Sequence, residues 1–179
     1  MFTPRAIFYR QEKGFDHLKV GLAAVVQKMV QSEISGVMFT IDPVTNQKNK
    51  IVIEAIWGLG EYIVQGVVTP DHYEVEKENY RIIKTTTATQ KFQLIKVRGK
   101  TIKTLVPKNK QKLQKLNSGQ IVALAKIGEK IHQHYYFPQD IEWAYEKGNF
   151  YIVQTRPVTT VNSKFQIPNS KLDVKGELI

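Results

Sequence analysis

The chain has 179 residues, 42% of them hydrophobic and 23% charged, with no cysteine and a formal net charge of +10. That length supports one sizeable core, or two small lobes sharing one, in an ordinary globular protein. No apolar run reaches the length of a membrane span or the core of a signal peptide, and without cysteine there is neither a disulfide framework nor a thiolate metal site. A cytoplasmic location with no membrane partner is expected.

Residues 22–30, LAAVVQKMV, form an apolar run of strand length, and residues 37–41 (VMFTI) and 51–56 (IVIEAI) predict two further strands around the turn-rich DPVTNQKNK. Short β segments joined by Pro, Asn and Asp predict an antiparallel or mixed sheet. GLGEYIVQG reads as a Gly-rich turn feeding a short helix. Residues 73–75 and 80–84 flank Lys77-Glu78-Asn79 as a hairpin, and residues 92–97 and 101–106 flank Arg98-Gly99-Lys100 as a second. Gly supplies the positive φ that a tight turn needs.

One long helix follows. Asn117 is its cap, with Gln120 completing a capping box, and Ile121, Leu124, Ala125, Gly128 and Ile131 recur at helical spacing as a core stripe. His132 and His134 suit its C-terminal end as surface cations. They do not share a helical face, which argues against a metal pair. From about residue 161 onward the chain is polar and aperiodic, and is expected to be a linker or tail. Strands preceding a helix and a final hairpin predict the α+β class.

The charge is unevenly placed. Eleven of the 26 Lys and Arg fall between Arg81 and Lys115 with no Asp or Glu, leaving 15 basic against 16 acidic residues elsewhere. Such a strip could serve a polyanion such as nucleic acid. Only Phe92 lies within it to stack on a base, so a solvated hairpin face is the favoured reading and a nucleic-acid partner is disfavoured.

The stretch QDIEWAYEKGNFYIVQTRP, residues 139–157, reads as two strands around a tight turn that carry Asp140 and Glu142 on one arm and Gln154 and Arg156 on the other. Alternation sets Ile141, Trp143 and Tyr145 toward the core and the carboxylates away from it. An odd-length loop would bring the two polar sets to one face, whereas a two-residue loop would separate them. Gly148 suits a three-residue loop with a bulge. If the sets meet, carboxylate and amide oxygens suit Mg²⁺ and the guanidinium suits phosphate. The alternative is a solvated cross-strand ion pair worth at most about 1 kcal/mol.

Taken in order, FTPRAIFYR, VVQKMV, SGVMFTIDPVT, GLGEYIVQGVVTPD, PQDIEW and YIVQTRPVTT resemble the phosphoenolpyruvate synthase and pyruvate phosphate dikinase family, which includes rifampicin phosphotransferase. The likeness runs from about Phe2 to Thr160. It implies the later part of an ATP-grasp nucleotide-binding domain over residues 1–160, with ATP and Mg²⁺ as cofactors. By that resemblance Gln27, Lys28, Met29 and Val30 would line the adenine, Glu142 and Gln154 would hold Mg²⁺ with Asp140 in support, and Arg156 would reach the phosphates. Glu61 of GLGE would belong to the nucleotide pocket or its wall, and a turn that needs glycine is the plainer reading of that motif. The resemblance further implies a parent reaction of ATP, pyruvate and water giving phosphoenolpyruvate, AMP and phosphate through a phosphohistidine. The lobe with the phosphate-gripping lysine and arginine, and the phosphohistidine domain, have no counterpart in this sequence. The chain is therefore expected to be an inactive piece that needs both as partners, and apolar surface facing the absent lobe would favour a homo-oligomer. A basic nucleic-acid-binding module and a degenerate ATP-grasp scaffold are the competing expectations.

Overall fold

A computed structural model describes residues 2–21 and 23–158, so the tail expected over 161–179 lies outside the described residues. Helix α1 (Pro4–Lys13) comes first. Thr3 caps it by accepting from the amide of Ala6, Pro4 stands in its first turn, and Gly14 closes it in the left-handed region at φ 69°. Each of these residues suits its place: an oxygen for an orphan N–H, a ring already at helical φ, and no Cβ to clash.

Residues 23–32 follow without helix or strand, so the strand expected over 22–30 is not present in its described part. Val25 and Val26 are 86% and 100% exposed. An apolar run becomes a strand when a neighbouring strand pairs its backbone and a core takes its side chains. Among the described residues no strand pairs with the backbone of this segment.

The sheet begins with β1 (Ile34–Phe39), β2 (Lys50–Trp57), β3 (Asp71–Glu76) and β4 (Ile82–Thr86), an antiparallel meander with the short helix α2 (Glu61–Val64) between β2 and β3. A separate ribbon, β5 (Phe92–Val97) and β6 (Lys100–Leu105), comes next. Helix α3 (Ser118–Tyr135) then crosses the sheet, and β7 (Gln139–Glu146) and β8 (Asn149–Pro157) extend it from the free edge of β1. The order is β4-β3-β2-β1-β7-β8, and every pairing among the described residues is antiparallel. The class is α+β, with the antiparallel alternative realised.

Helix α3 carries the capping box, Asn117 Oδ1 accepting from the Gln120 amide and Gln120 Oε1 from the Asn117 amide, both at 2.9 Å. Its stripe of Ile121, Leu124, Ala125 and Gly128 is buried against Met38, Ile53, Tyr73 and Ile141 of the sheet. At Gly128 the two layers are so close that a Cβ would sit 2.7 Å from the Met38 sulfur.

Strand register sorts the opposite face into two rungs. One runs Gln154–Glu142–Val37–Glu54–His72–Thr86, and the next runs Arg156–Asp140–Phe39–Val52–Glu74–Lys84. Side chains directly opposite in a ladder share a face, so this side of the sheet is polar and charged while the other is the core. Glu74 sits 2.9 Å from the Lys50 ammonium and 3.1 Å from that of Lys84, and the Lys50 hydrogen bond holds its carboxyl below the usual carboxylate range.

Two expectations about charged residues need correcting. His132 is not a surface cation: it is half-buried, 2.8 Å from Thr40 Oγ1 and 3.4 Å from Lys77 Nζ, and burial together with the Lys77 charge pushes its pKa down. His134 is exposed as expected. Lys115, the last residue of the basic strip, is fully buried in an ion pair with Asp71 at 2.7 Å. Most of the rest of the strip is solvated.

Candidate functional site

The β7–β8 hairpin turns through two residues, Lys147 at φ 48° and Gly148 at φ 86°, the paired positive values of a type I′ turn. That loop length alone would put the polar residues of the two arms on opposite faces. A bulge reverses the outcome. The register shifts between Glu142 and Trp143, so that Trp143 faces Ile152, Glu142 faces Gln154 and Val153 has no opposite number. The extra residue sends Phe150 and Ile152 to the core side and Gln154 and Arg156 to the polar side. Asp140 lies opposite Arg156, whose Nε donates to Oδ2 of Asp140 at 2.8 Å, and that bond raises the guanidinium pKa. On the core side Trp143 is 1% exposed and packs edge-on against Phe150 at 5.7 Å between centroids.

Above the end of β1 and β7 lies a cavity of about 440 Å³. Gln27, Lys28, Met29 and Val30 form one wall, Glu61, Ile63 and Val64 of α2 another, and Glu142 lies with Ser35 and Ala144 between them. The segment that failed to become a strand thus forms a wall. No hydrogen bond among the described residues engages the backbone of residues 27–30, while the Gln27 side chain reaches the carbonyl of the bulged Val153 at 3.5 Å. Arg156, Asp140 and Gln154 do not line this hollow: on the same sheet face, Gln154 stands opposite Glu142, and Asp140 and Arg156 form the next rung along β7 and β8.

The GLGE turn is built by close backbone approaches. Gly58 has φ 84°, and a Cβ there would lie 2.4 Å from the Leu94 carbonyl. Its amide donates to Glu33, its carbonyl accepts from the Ser35 hydroxyl at 2.6 Å, and the Leu59 amide donates to Leu94 at 2.9 Å. Only glycine fits at Gly58, while Leu59, Gly60 and Glu61 face the cavity. The cavity also contains residues that the sequence did not mark: Ser35, Val153, and from the ribbon Lys96 and Thr101. A strand residue in a basic strip carries no local signal that it will close a pocket made by residues seventy positions away.

A second hollow, of about 680 Å³, lies between α1 and the residues up to Val20, and contains none of the expected site residues. Among the described residues no three His, Asp or Glu cluster as a metal cage. What the hairpin presents is one carboxylate and one amide oxygen opposite each other, with Asp140 alongside. That sparse donor set fits Mg²⁺, which keeps several waters and takes one or two carboxylates together with substrate phosphates. It does not fit a structural metal.

A family model described as pyruvate phosphate dikinase, AMP/ATP-binding domain, matches residues 1–175. The chain belongs to that family. Among curated relatives, phosphoenolpyruvate synthase of Pyrococcus furiosus is 51% identical over 189 residues, covering 100% of this chain and 23% of its own length. A probable phosphoenolpyruvate synthase of Methanocaldococcus jannaschii is 50% identical over 162 residues, covering 90% of this chain and 14% of its own length. Rifampicin phosphotransferase of Bacillus subtilis is 42% identical over 171 residues, 95% of this chain and 19% of the relative. The chain therefore spans less than a quarter of the length of these relatives. Within the pyruvate phosphate dikinase family the matched part is the AMP/ATP-binding domain, and no helix among the described residues is long and apolar enough to cross a membrane.

Proposed function

We propose that this chain holds ATP and Mg²⁺ for a phosphotransferase of the phosphoenolpyruvate synthase kind, through an ATP-grasp type of site. The observation that carries this reading is the single cavity that gathers residues 27–30, Glu61 and Glu142 from three distant parts of the chain. Residues 27–30 line the adenine and offer its edge their unpaired backbone groups. Glu142 and Gln154 hold Mg²⁺, with Asp140 in support. The Nε of Arg156 is engaged by Asp140, which orients the guanidinium and leaves its two terminal nitrogens for phosphate oxygens. Bound there, Mg²⁺ supplies positive charge against the phosphate oxygens of the nucleotide.

In a whole protein of this kind the reaction is ATP, pyruvate and water giving phosphoenolpyruvate, AMP and phosphate, through a phosphohistidine on another domain. Calorimetric titration of the chain with a non-hydrolysable ATP analogue tests the site. Binding that needs Mg²⁺ and is lost in Glu142→Ala is expected. Binding that is indifferent to both would remove Mg²⁺ from the hairpin.

A further inference from the structure

Of the eleven basic residues between Arg81 and Lys115, nine are exposed. Lys115 is buried and neutralised by Asp71. Lys96 is the remaining one, and its situation differs from all the others. It is half-buried, yet no ion pair or hydrogen bond engages its ammonium among the described residues. A lysine that lines a cavity with no ion pair or hydrogen bond engaging it is open to an anion that enters there, even where its stem is half covered.

Its placement says which anion. Lys96 stands on β5 directly opposite Thr101 on β6, and both face the cavity that holds residues 27–30 and Glu142. The ribbon is held against that cavity, because the Leu59 amide donates to the Leu94 carbonyl and Gly58 leaves no gap beside it. Leu94 and Lys96 share a strand face, so the anchor and the ammonium are one step apart. Resting on the nucleotide reading of this cavity, we propose that Lys96 is a nucleotide-binding residue whose ammonium holds an oxygen of the phosphate chain, with the Thr101 hydroxyl beside it. The phosphate chain is the only anionic part of ATP. A strongly hydrated point charge on a flexible stem suits it better than it suits the base or ribose.

The test compares ATP with adenosine on the full chain, in the wild type and in Lys96→Ala, the gentler Lys96→Gln and Lys96→Arg, with Lys100→Ala on the far face of the ribbon as a control. Loss of the charge should weaken ATP binding by about tenfold or more, the size of one charge-assisted hydrogen bond, while adenosine binding stays level and shows the pocket is intact. Lys96→Arg should recover most of the loss, and Lys100→Ala should resemble wild type. Unchanged ATP affinity in Lys96→Gln, or equal losses for ATP and adenosine, would overturn the assignment. A wild-type chain that binds neither ligand would instead bring down the nucleotide reading, and this proposal with it.

Discussion

The carboxylate of Asp71 is completely buried and accepts four hydrogen bonds. Oδ1 takes the Lys115 ammonium at 2.7 Å and the Ala88 amide at 2.8 Å, and Oδ2 takes the Tyr73 hydroxyl at 2.7 Å and the Lys115 amide at 2.9 Å. One side chain thus fixes the strand β3, the loop after β4 and the approach to α3. Burial, and the bond to Asp71, push the Tyr73 phenol well above the usual range, so it stays a donor. A buried pair adds little over a well-packed apolar pair, but removing one member leaves a naked charge. Lys115→Met should therefore cost about 3–5 kcal/mol, measured by denaturant unfolding, and adding Asp71→Asn to it should recover a substantial part of the loss. If the double variant proved as unstable as the two single changes summed, Asp71 and Lys115 would be uncoupled.

The β7–β8 hairpin raises the same kind of question for a whole element, because one inserted residue decides which side chains reach the site. Deleting Val153 leaves every other pair in register, from Glu142 opposite Gln154 to Asp140 opposite Arg156, while it straightens the strand and removes the carbonyl that the Gln27 side chain reaches. The variant should keep its fold, with a thermal midpoint within about 4 °C of wild type if the change is near 1 kcal/mol. A collapse of the midpoint would mean that the bulge itself holds the hairpin. Nothing local marks this bulge in the sequence, since Val153 is neither Gly nor Pro, and the turn ahead of it points to the opposite conclusion. The turns were legible in place because Gly99 and Gly148 supply positive φ, but not in length: each loop has two residues, Arg98-Gly99 and Lys147-Gly148, where three were expected. The capping box of α3 was legible for a similar reason, being written in residues three apart. Helix α1 was equally marked, by Thr3, Pro4 and Gly14, yet its apolar residues stay exposed and give no clean stripe. Residues 23–30 carry strand composition, but what they lack is a partner strand, which belongs to the tertiary structure alone. The same holds for Lys115 and Lys96, which look like any lysine of the strip until the fold buries one and half-buries the other.

The whole molecule is held as two layers, and the end of α3 is where they are fastened by polar contacts rather than by core packing. His132 meets Thr40, just beyond β1, and Lys77, just beyond β3, while Lys77 pairs with Glu129 of the helix at 3.2 Å. The Thr40 hydroxyl accepts from the Gln139 amide at 2.8 Å and can give its own proton to Nδ1 of His132, and the Lys77 ammonium 3.4 Å from the same nitrogen favours that nitrogen unprotonated, in a neutral ring. Protonation would place a donor against both Thr40 and the Lys77 ammonium. Burial and Lys77 lower the His132 pKa from 6.5, outweighing the Glu129 carboxylate, which pulls the other way. In this window the unfolded chain binds more protons than the folded one, so stability rises with pH. The contribution is complete above pH 6.5 and is lost as pH falls through the depressed folded value. Glu74, lowered from 4.5, acts only below that range and does not confuse the window. Urea midpoints should therefore fall between pH 7 and pH 5 in the wild type. His132→Asn, which keeps an acceptor for Thr40 but cannot ionise, should be less stable at pH 7 and have a shallower slope. An equal slope in both proteins would move the pH sensitivity away from the fastening of α3 to the sheet.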